Sequence, residues 1–386
     1  MNMLEEISPP FASATEDSYT AFASVKRWKE DTGRSPLGYF PVYFPEELAH
    51  AMGLLPVGLY GASGRVSLDM ATAHTQSFIC SISRSVFQMA LQGNLDVFDG
   101  LVFSNICDVA RNLSGITKRN LKERYVDYLH YPINNGSAYA ARYLREEYMR
   151  LASGLEKVAG SPLRAEDLRA SIGLYNEKRR LLRELVQLRR SQPWLIPYTE
   201  WYAMMRAGLI LPVVEYLPAL KTYITGASAR EGKPMDRIRV VVTGTFCEQP
   251  PLQLMRTIED AGCYIVHDEA LIGSRWMGEV PAAEPDPLLS LSRAYVENPE
   301  PLTVRFHPDI DKRSHDAALL ASTGAQGVIF CTPKFCEPAL YDSVIFKGVI
   351  EKTKLPYLHL EYEESASSFE HDRTMVETFV ESILFE

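Results

Sequence analysis

A chain of 386 residues exceeds what one hydrophobic core usually organises, and 46% apolar beside 23% charged residues is an ordinary globular composition. The formal net charge of -9 argues against nucleic acid or an acidic membrane surface as the main partner, although a local basic pocket can still hold an anion. No run of about 20 apolar residues is present to span a bilayer.

The N-terminal stretch MNMLEEISPPFASATEDSYT has no basic segment followed by an apolar one, so no leader peptide is expected and the cytoplasm is the expected compartment. Six cysteines in so long a chain are too sparse for a disulfide scaffold and are expected to be reduced thiols. Further along, YFPEELAHAMGLLPVGLYG predicts a short helix from Pro45, stopped at Gly53, and then a strand from Leu55 to Tyr60. SFICSISRSVFQMALQG predicts a helix opening near Cys80 and ending at Gly93. FDGLVFSNICD reads as a buried strand that ends in a loop carrying Cys107.

The middle of the chain is helical in pattern. Leu168, Ile172, Tyr175, Leu182 and Leu185 recur at helical spacing among many charges, and a tyrosine-rich segment over 137–157 precedes them. ASAREGKPM, 227–235, reads as a linker or exposed loop. Beyond it, RIRVVVTGT, CYIVHDEA, GVIFC and LPYLHLEYE read as strands, with helices over PLQLMRTIEDAG and HDAALLASTG. Strands alternating with helices predict parallel sheets covered on both faces. The expected organisation is an α/β chain of two Rossmann-like parallel-sheet domains with a helical region between them. The first α/β domain and N-terminal region take 1–135, the helical region and linker 136–235, and the second α/β domain 236–386.

Ligands of open parallel sheets sit beyond the carboxyl ends of the strands, and three loops leaving such ends carry cysteine: Cys107, Cys247 and Cys336. Cys80 opens a helix, where the positive helix end favours thiolate. Cys263 starts a strand and Cys331 closes an apolar run, so both read as small buried hydrophobes. Cys247 is open to either reading. Cys80, Cys107 and Cys336 are the candidate ligands, though each is equally a residue that packing alone could explain. Should they converge, soft thiolates from separate loops suit an iron–sulfur cluster better than calcium or magnesium. Several other chemistries have no motif here. GxxxxGK[ST], GxGxxG after a strand, HExxH, GxSxG and CxxC are all missing from the sequence.

FPEELAHAMG, CSISRS, NICDVAR, YNEKRRLL, TIEDAG, KFCEP and LPYLHLEYE, in this order, resemble the 2-hydroxyacyl-CoA dehydratase and benzoyl-CoA reductase family over nearly the whole chain. Within it the chain looks most like the smaller (gamma) cluster-binding subunit of the benzoyl-CoA reductases. The resemblance implies a 4Fe-4S cluster on Cys80, Cys107 and Cys336, either separate or fused with a cluster of the partner subunit. It also implies a homologous larger cluster-binding subunit, ATP-hydrolysing activator subunits, ferredoxin as the indirect electron source, and an acyl-CoA substrate. The implied reaction of anaerobic aromatic degradation is ATP-dependent, two-electron reduction of benzoyl-CoA to a cyclic dienoyl-CoA. Two alternatives stand beside it: a 2-hydroxyacyl-CoA dehydratase subunit, and a non-catalytic metal-binding scaffold. Glu46 and Glu47 are candidates for the acid, against a plain role as carboxylates at a helix N-terminus. Arg84 and Arg111, four residues beyond Cys80 and Cys107, are candidates for a CoA phosphate or for the surroundings of the cluster, against surface salt bridges. His267, His307 and His359 are given no role.

Overall fold

The computed structural model describes residues 7–270, 278–281, 285–301, 304–366 and 368–385, so the first six residues of the N-terminal stretch discussed above lie outside it. Among the described residues, eight strands in two sheets organise the chain. The first sheet holds β1 (Pro36–Tyr39), β2 (Leu55–Gly58), β3 (Gly100–Ser104) and β4 (Tyr125–Leu129), in the order β2-β1-β3-β4. The second holds β5 (Ile238–Thr243), β6 (Cys263–Asp268), β7 (Gly327–Pro333) and β8 (Tyr357–Tyr362), in the order β6-β5-β7-β8. Every neighbouring pair in both sheets is parallel.

The two sheets have the same winding. In each, the chain leaves the first strand to one side and then returns to add strands on the other side. This reversal puts a crevice at the carboxyl ends of β1 and β3 in one sheet and of β5 and β7 in the other, where such folds bind ligands. The four helices Ala140–Ala159, Ala165–Ser191, Tyr198–Ala207 and Val213–Ser228 lie between β4 and β5 in sequence. The predicted stripe on Ala165–Ser191 is the buried one: Leu168, Ile172, Tyr175, Leu182 and Leu185 are all out of solvent. Among the described residues no helix is long and apolar enough to cross a membrane.

Punctuation residues set the boundaries where the sequence placed them. Pro45 caps the helix Glu46–Ala51, and Gly93, at φ +83°, ends Ser81–Gln92 in the left-handed conformation that glycine adopts without strain. β1 and β4 lack such signals. β1 is only PLGY, with a proline, a glycine and no β-branched residue, yet it is fully buried between β2 and β3. Burial on both faces, not intrinsic propensity, makes it a strand. The principal core is continuous through both sheets and the helices between them, from Leu37 and Val57 through Trp201 and Tyr216 to Val240 and Ile329.

Candidate metal centre

Three cysteines occupy the same local position in three different elements. Cys80 is the N-cap of Ser81–Gln92, Cys107 of Asp108–Asn120, and Cys336 of Glu337–Thr353. A helix N-terminus presents unpaired backbone N–H groups and roughly half a positive charge, which favours an anionic sulfur or a negatively charged group beside it. The Cys107 sulfur already accepts a hydrogen bond from the Ala110 N–H at 3.4 Å. Cys336 is swung into place by Phe335, a bulky residue held at φ +64°. Such a conformation costs on the order of 1–3 kcal/mol and persists only where its surroundings impose it.

All three thiols line one cavity of about 690 Å³ between the two sheets, together with a fourth, Cys247 from the loop after β5. The Cys247 thiol adjoins those of Cys80 and Cys336 and interacts electrostatically with both. That interaction, with help from Ser83 Oγ at 3.1 Å, lowers the Cys80 pKa to about 7 in spite of burial. The neighbouring Cys336 and Cys80 sulfurs, together with burial, hold the Cys247 thiol well above its ordinary range. Burial pushes Cys107 up to about 12.

The two halves are tied together beside the cavity. Glu248 accepts from Ser81 Oγ at 2.5 Å and from the Ile82 N–H at 3.0 Å, and the Glu364 N–H donates to Ser81 Oγ at 3.1 Å. Burial and the neighbouring Glu364 carboxyl raise the Glu248 pKa well above the carboxylate range. No sequence pattern pointed to these two glutamates, because 167 positions separate Ser81 from Glu248 and 283 separate it from Glu364.

The other candidates are distributed differently. Arg111 lines the cavity, is largely exposed and pairs with Asp108 at 3.3 Å. Arg84 lies one turn along the helix that Cys80 opens, outside the cavity lining, with its Nε buried and without a hydrogen-bond partner. Glu46 and Glu47 sit in a second cavity of about 60 Å³ with Tyr39, Tyr60, Lys178 and Arg179. There Glu46 accepts from Tyr39 Oη at 2.5 Å and pairs with Lys178 at 3.2 Å, while Glu47 pairs with Arg179. His359 hydrogen-bonds Thr332 Oγ1 at 2.9 Å and His267 contacts Arg190, which leaves both with structural partners. Cys263 and Cys331 are fully buried, away from the thiol-lined cavity, as the packing reading expects.

Among the described residues no three or more His, Cys, Asp or Glu side chains are grouped to grip a single metal ion. A cubane makes a different demand, since its irons occupy separate corners and its thiolates stand further apart. Three sulfurs at three helix N-termini, opening on one cavity, fit a cluster of that kind in donor type and in charge.

Two doubly wound α/β halves of equal topology define a twin Rossmann-like protein with a thiol-lined cavity between the halves. The chain belongs to the 2-hydroxyglutaryl-CoA dehydratase, D-component, family, which it matches over residues 41–383. It is 37% identical over 364 residues to a subunit of the benzoyl-CoA reductase of Thauera aromatica, a match covering 94% of each chain. It is 29% identical to the lactoyl-CoA dehydratase beta subunit of Anaerotignum propionicum, over 92% of this chain and 94% of the relative. With the (R)-2-hydroxyglutaryl-CoA dehydratase beta subunit of Acidaminococcus fermentans the identity is 25%, over 91% and 93%.

Proposed function

We propose that this chain is the cluster-binding gamma-type subunit of an ATP-dependent benzoyl-CoA reductase in the cytoplasm. It would work with a homologous larger cluster-binding subunit, an ATP-hydrolysing activator pair, and ferredoxin as the indirect electron source. The observation that carries this reading is the convergence of Cys80, Cys107 and Cys336, each at a helix N-terminus, on one cavity between the halves. The higher identity to the reductase subunit than to the dehydratase subunits favours reduction over dehydration.

In this reading the three cysteines hold a 4Fe-4S cluster, separate or fused with the partner's. When bound, the cluster supplies single electrons of low potential. The protein's own contribution is to hold three sulfurs at fixed helix ends, to offset negative charge with helix dipoles, and to keep water from one wall with the buried Phe246. Arg111 at the cavity wall is the proposed contact for a CoA phosphate, and Arg84 a positive charge behind Cys80. Glu46 and Glu47 remain the proposed source of an acid, supported by the polar, tyrosine-lined cavity they share.

The assembled complex, assayed with benzoyl-CoA and with a 2-hydroxyacyl-CoA, tests the reading. Diene formation coupled to ATP hydrolysis is expected with the first, and dehydration of the second alone would overturn it. The ligand set has its own test in Cys80→Ser, Cys107→Ser and Cys336→Ser. Each is expected to lose most of the iron and acid-labile sulfide retained by the anaerobically purified wild type, whereas Cys331→Ser retains them. An unchanged cluster in Cys336→Ser would remove that residue from the set.

A further inference from the structure

The helix Ser81–Gln92 is capped from outside its own half of the chain. Its N-cap residue is Cys80, whose side chain accepts no backbone N–H of that helix. At Asp108–Asn120 the N-cap sulfur does this itself, Cys107 accepting from the Ala110 N–H. At Cys80 the first-turn N–H of Ile82 goes instead to Glu248 Oε2 at 3.0 Å, and Ser81 Oγ donates to Glu248 Oε1 at 2.5 Å. Glu248 lies in the loop after β5, 166 positions from Ile82, and Ser81, Ile82 and Glu248 are all buried. Its carboxyl group satisfies the orphan donors that a Ser, Asn or Asp N-cap would otherwise take, and the Cys80 sulfur is relieved of that duty.

Glu248 is in turn held by the second half. Its carbonyl accepts from Tyr362 Oη, on β8, at 2.7 Å. The next residue, Gln249, accepts from Arg206 Nη1 at 3.1 Å. From the loop after β8, the Glu364 N–H donates to Ser81 Oγ at 3.1 Å. Ser81 therefore makes one bond to each of two second-half loops. The N-terminus of a first-half helix, and with it Cys80, is registered against β5 and β8. Cys336 follows β7, the strand that pairs with both. Cys80 is thus fixed against the same sheet that carries Cys336.

We propose that Glu248 is a positioning residue for Cys80, a strut across the two halves that sets the Cys80 sulfur relative to that of Cys336. The proposal rests on the cluster reading above and adds to it a residue that meets no iron. A cubane needs its thiolates at separate, fixed corners, so play between the halves would detach a ligand before it unfolded the chain. Residues that orient metal ligands from behind matter about 10- to 100-fold in metal affinity.

The test compares the full chain, purified anaerobically with its iron and sulfide, as wild type, Glu248→Ala, Glu248→Gln and Leu185→Ala. Glutamine keeps the length of the strut and an oxygen for the Ile82 N–H, and its amide can donate to Ser81 Oγ. Leu185 is a core residue outside the cavity lining, and its truncation lowers stability without touching the strut. Melting temperature, the rate of iron loss to excess bathophenanthroline and the EPR spectrum of the dithionite-reduced cluster are measured on each. Glu248→Ala is expected to lose iron about 10- to 100-fold faster than wild type and to give an altered EPR signal. Glu248→Gln is expected to restore both, and Leu185→Ala to melt lower with wild-type iron release and EPR. Glu248→Ala with a wild-type EPR signal, or with iron loss no faster than Leu185→Ala, would overturn the proposal and leave the three-thiol cluster standing. A Glu248→Gln chain that behaves as Glu248→Ala would overturn it too. Should Glu248→Ala fail to fold, Ser81→Ala decides, because it removes the hydroxyl through which both loops hold the helix. Faster iron loss and an altered signal are expected there, and wild-type behaviour refutes the strut. A wild type that holds neither iron nor sulfide would overturn the cluster reading itself, and this proposal with it.

Discussion

Glu47 and Arg179 form an ion pair with both side chains out of water, 1% and 5% exposed. Taking two charges from solvent is costly, so such a pair adds little net stability, but removing one partner strands the other. Glu47→Ala is therefore expected to destabilise the chain by about 3–5 kcal/mol in urea unfolding. A loss below about 1 kcal/mol would mean that Arg179 finds water or another acceptor. Glu259 gives a pH-dependent case. Burial pushes its carboxyl up to about 7 although it accepts from the Tyr198 N–H at 2.9 Å. The fold thus binds this proton more tightly than the unfolded chain does. The resulting stability is complete below the ordinary carboxyl value of 4.5 and is lost as pH rises through about 7. Glu259→Gln keeps an acceptor for Tyr198 but cannot ionise. Melting temperatures from pH 4.5 to 8 should show wild type falling relative to the variant up to about pH 7 and running parallel above it. Parallel curves throughout would refute the assignment.

Among the elements, the loop after β2 is tightly constrained. Gly61 has φ +75°, and a Cβ there would stand 1.8 Å from Glu364 Oε1, the atom that also accepts from the Ser63 N–H at 2.9 Å. Gly61→Ala has to displace a buried carboxyl and adopt a left-handed backbone at once. A loss of about 2 kcal/mol or more in chemical denaturation is expected, and a neutral result would show that Glu364 moves freely. This contact illustrates what was legible in the sequence. Elements with local signals read correctly: the helix from Pro45, the stop at Gly93, and the buried stripe of Ala165–Ser191. β1 did not, because PLGY carries no strand propensity and becomes a strand only through neighbours on both sides. At the site, each cysteine's place at a strand end or helix start could be read locally. Their meeting, and the glutamates that lock the halves beside them, are long-range facts that no window of sequence contains. Cys247 shows the boundary most clearly: its loop was legible, but the two thiols it adjoins were not.

The whole molecule is held by one principal core that runs through both sheets and the helices between them. Two lobes joined by a thin linker would unfold separately, whereas a shared core predicts cooperation between them. Calorimetry should show a single main transition, and two well-separated ones would contradict the continuity of that core. The N-terminal helix Pro9–Thr20 contributes to it from an unexpected direction. Phe11 stacks edge-on against Tyr216 and Tyr223, and Thr15 Oγ1 donates to the Ala203 carbonyl at 3.2 Å, so the start of the chain clasps its middle. The twin crevices have a final consequence for maturation. Cys80 and Cys107 come from the first half, and Cys336 from the second, so neither half owns a complete set of sulfurs. In the cluster reading, a nascent or damaged chain with only one half in order would have nothing to load. Retention of iron then reports on the fidelity of the whole chain, and slight parting of the lobes would release metal before any helix melts.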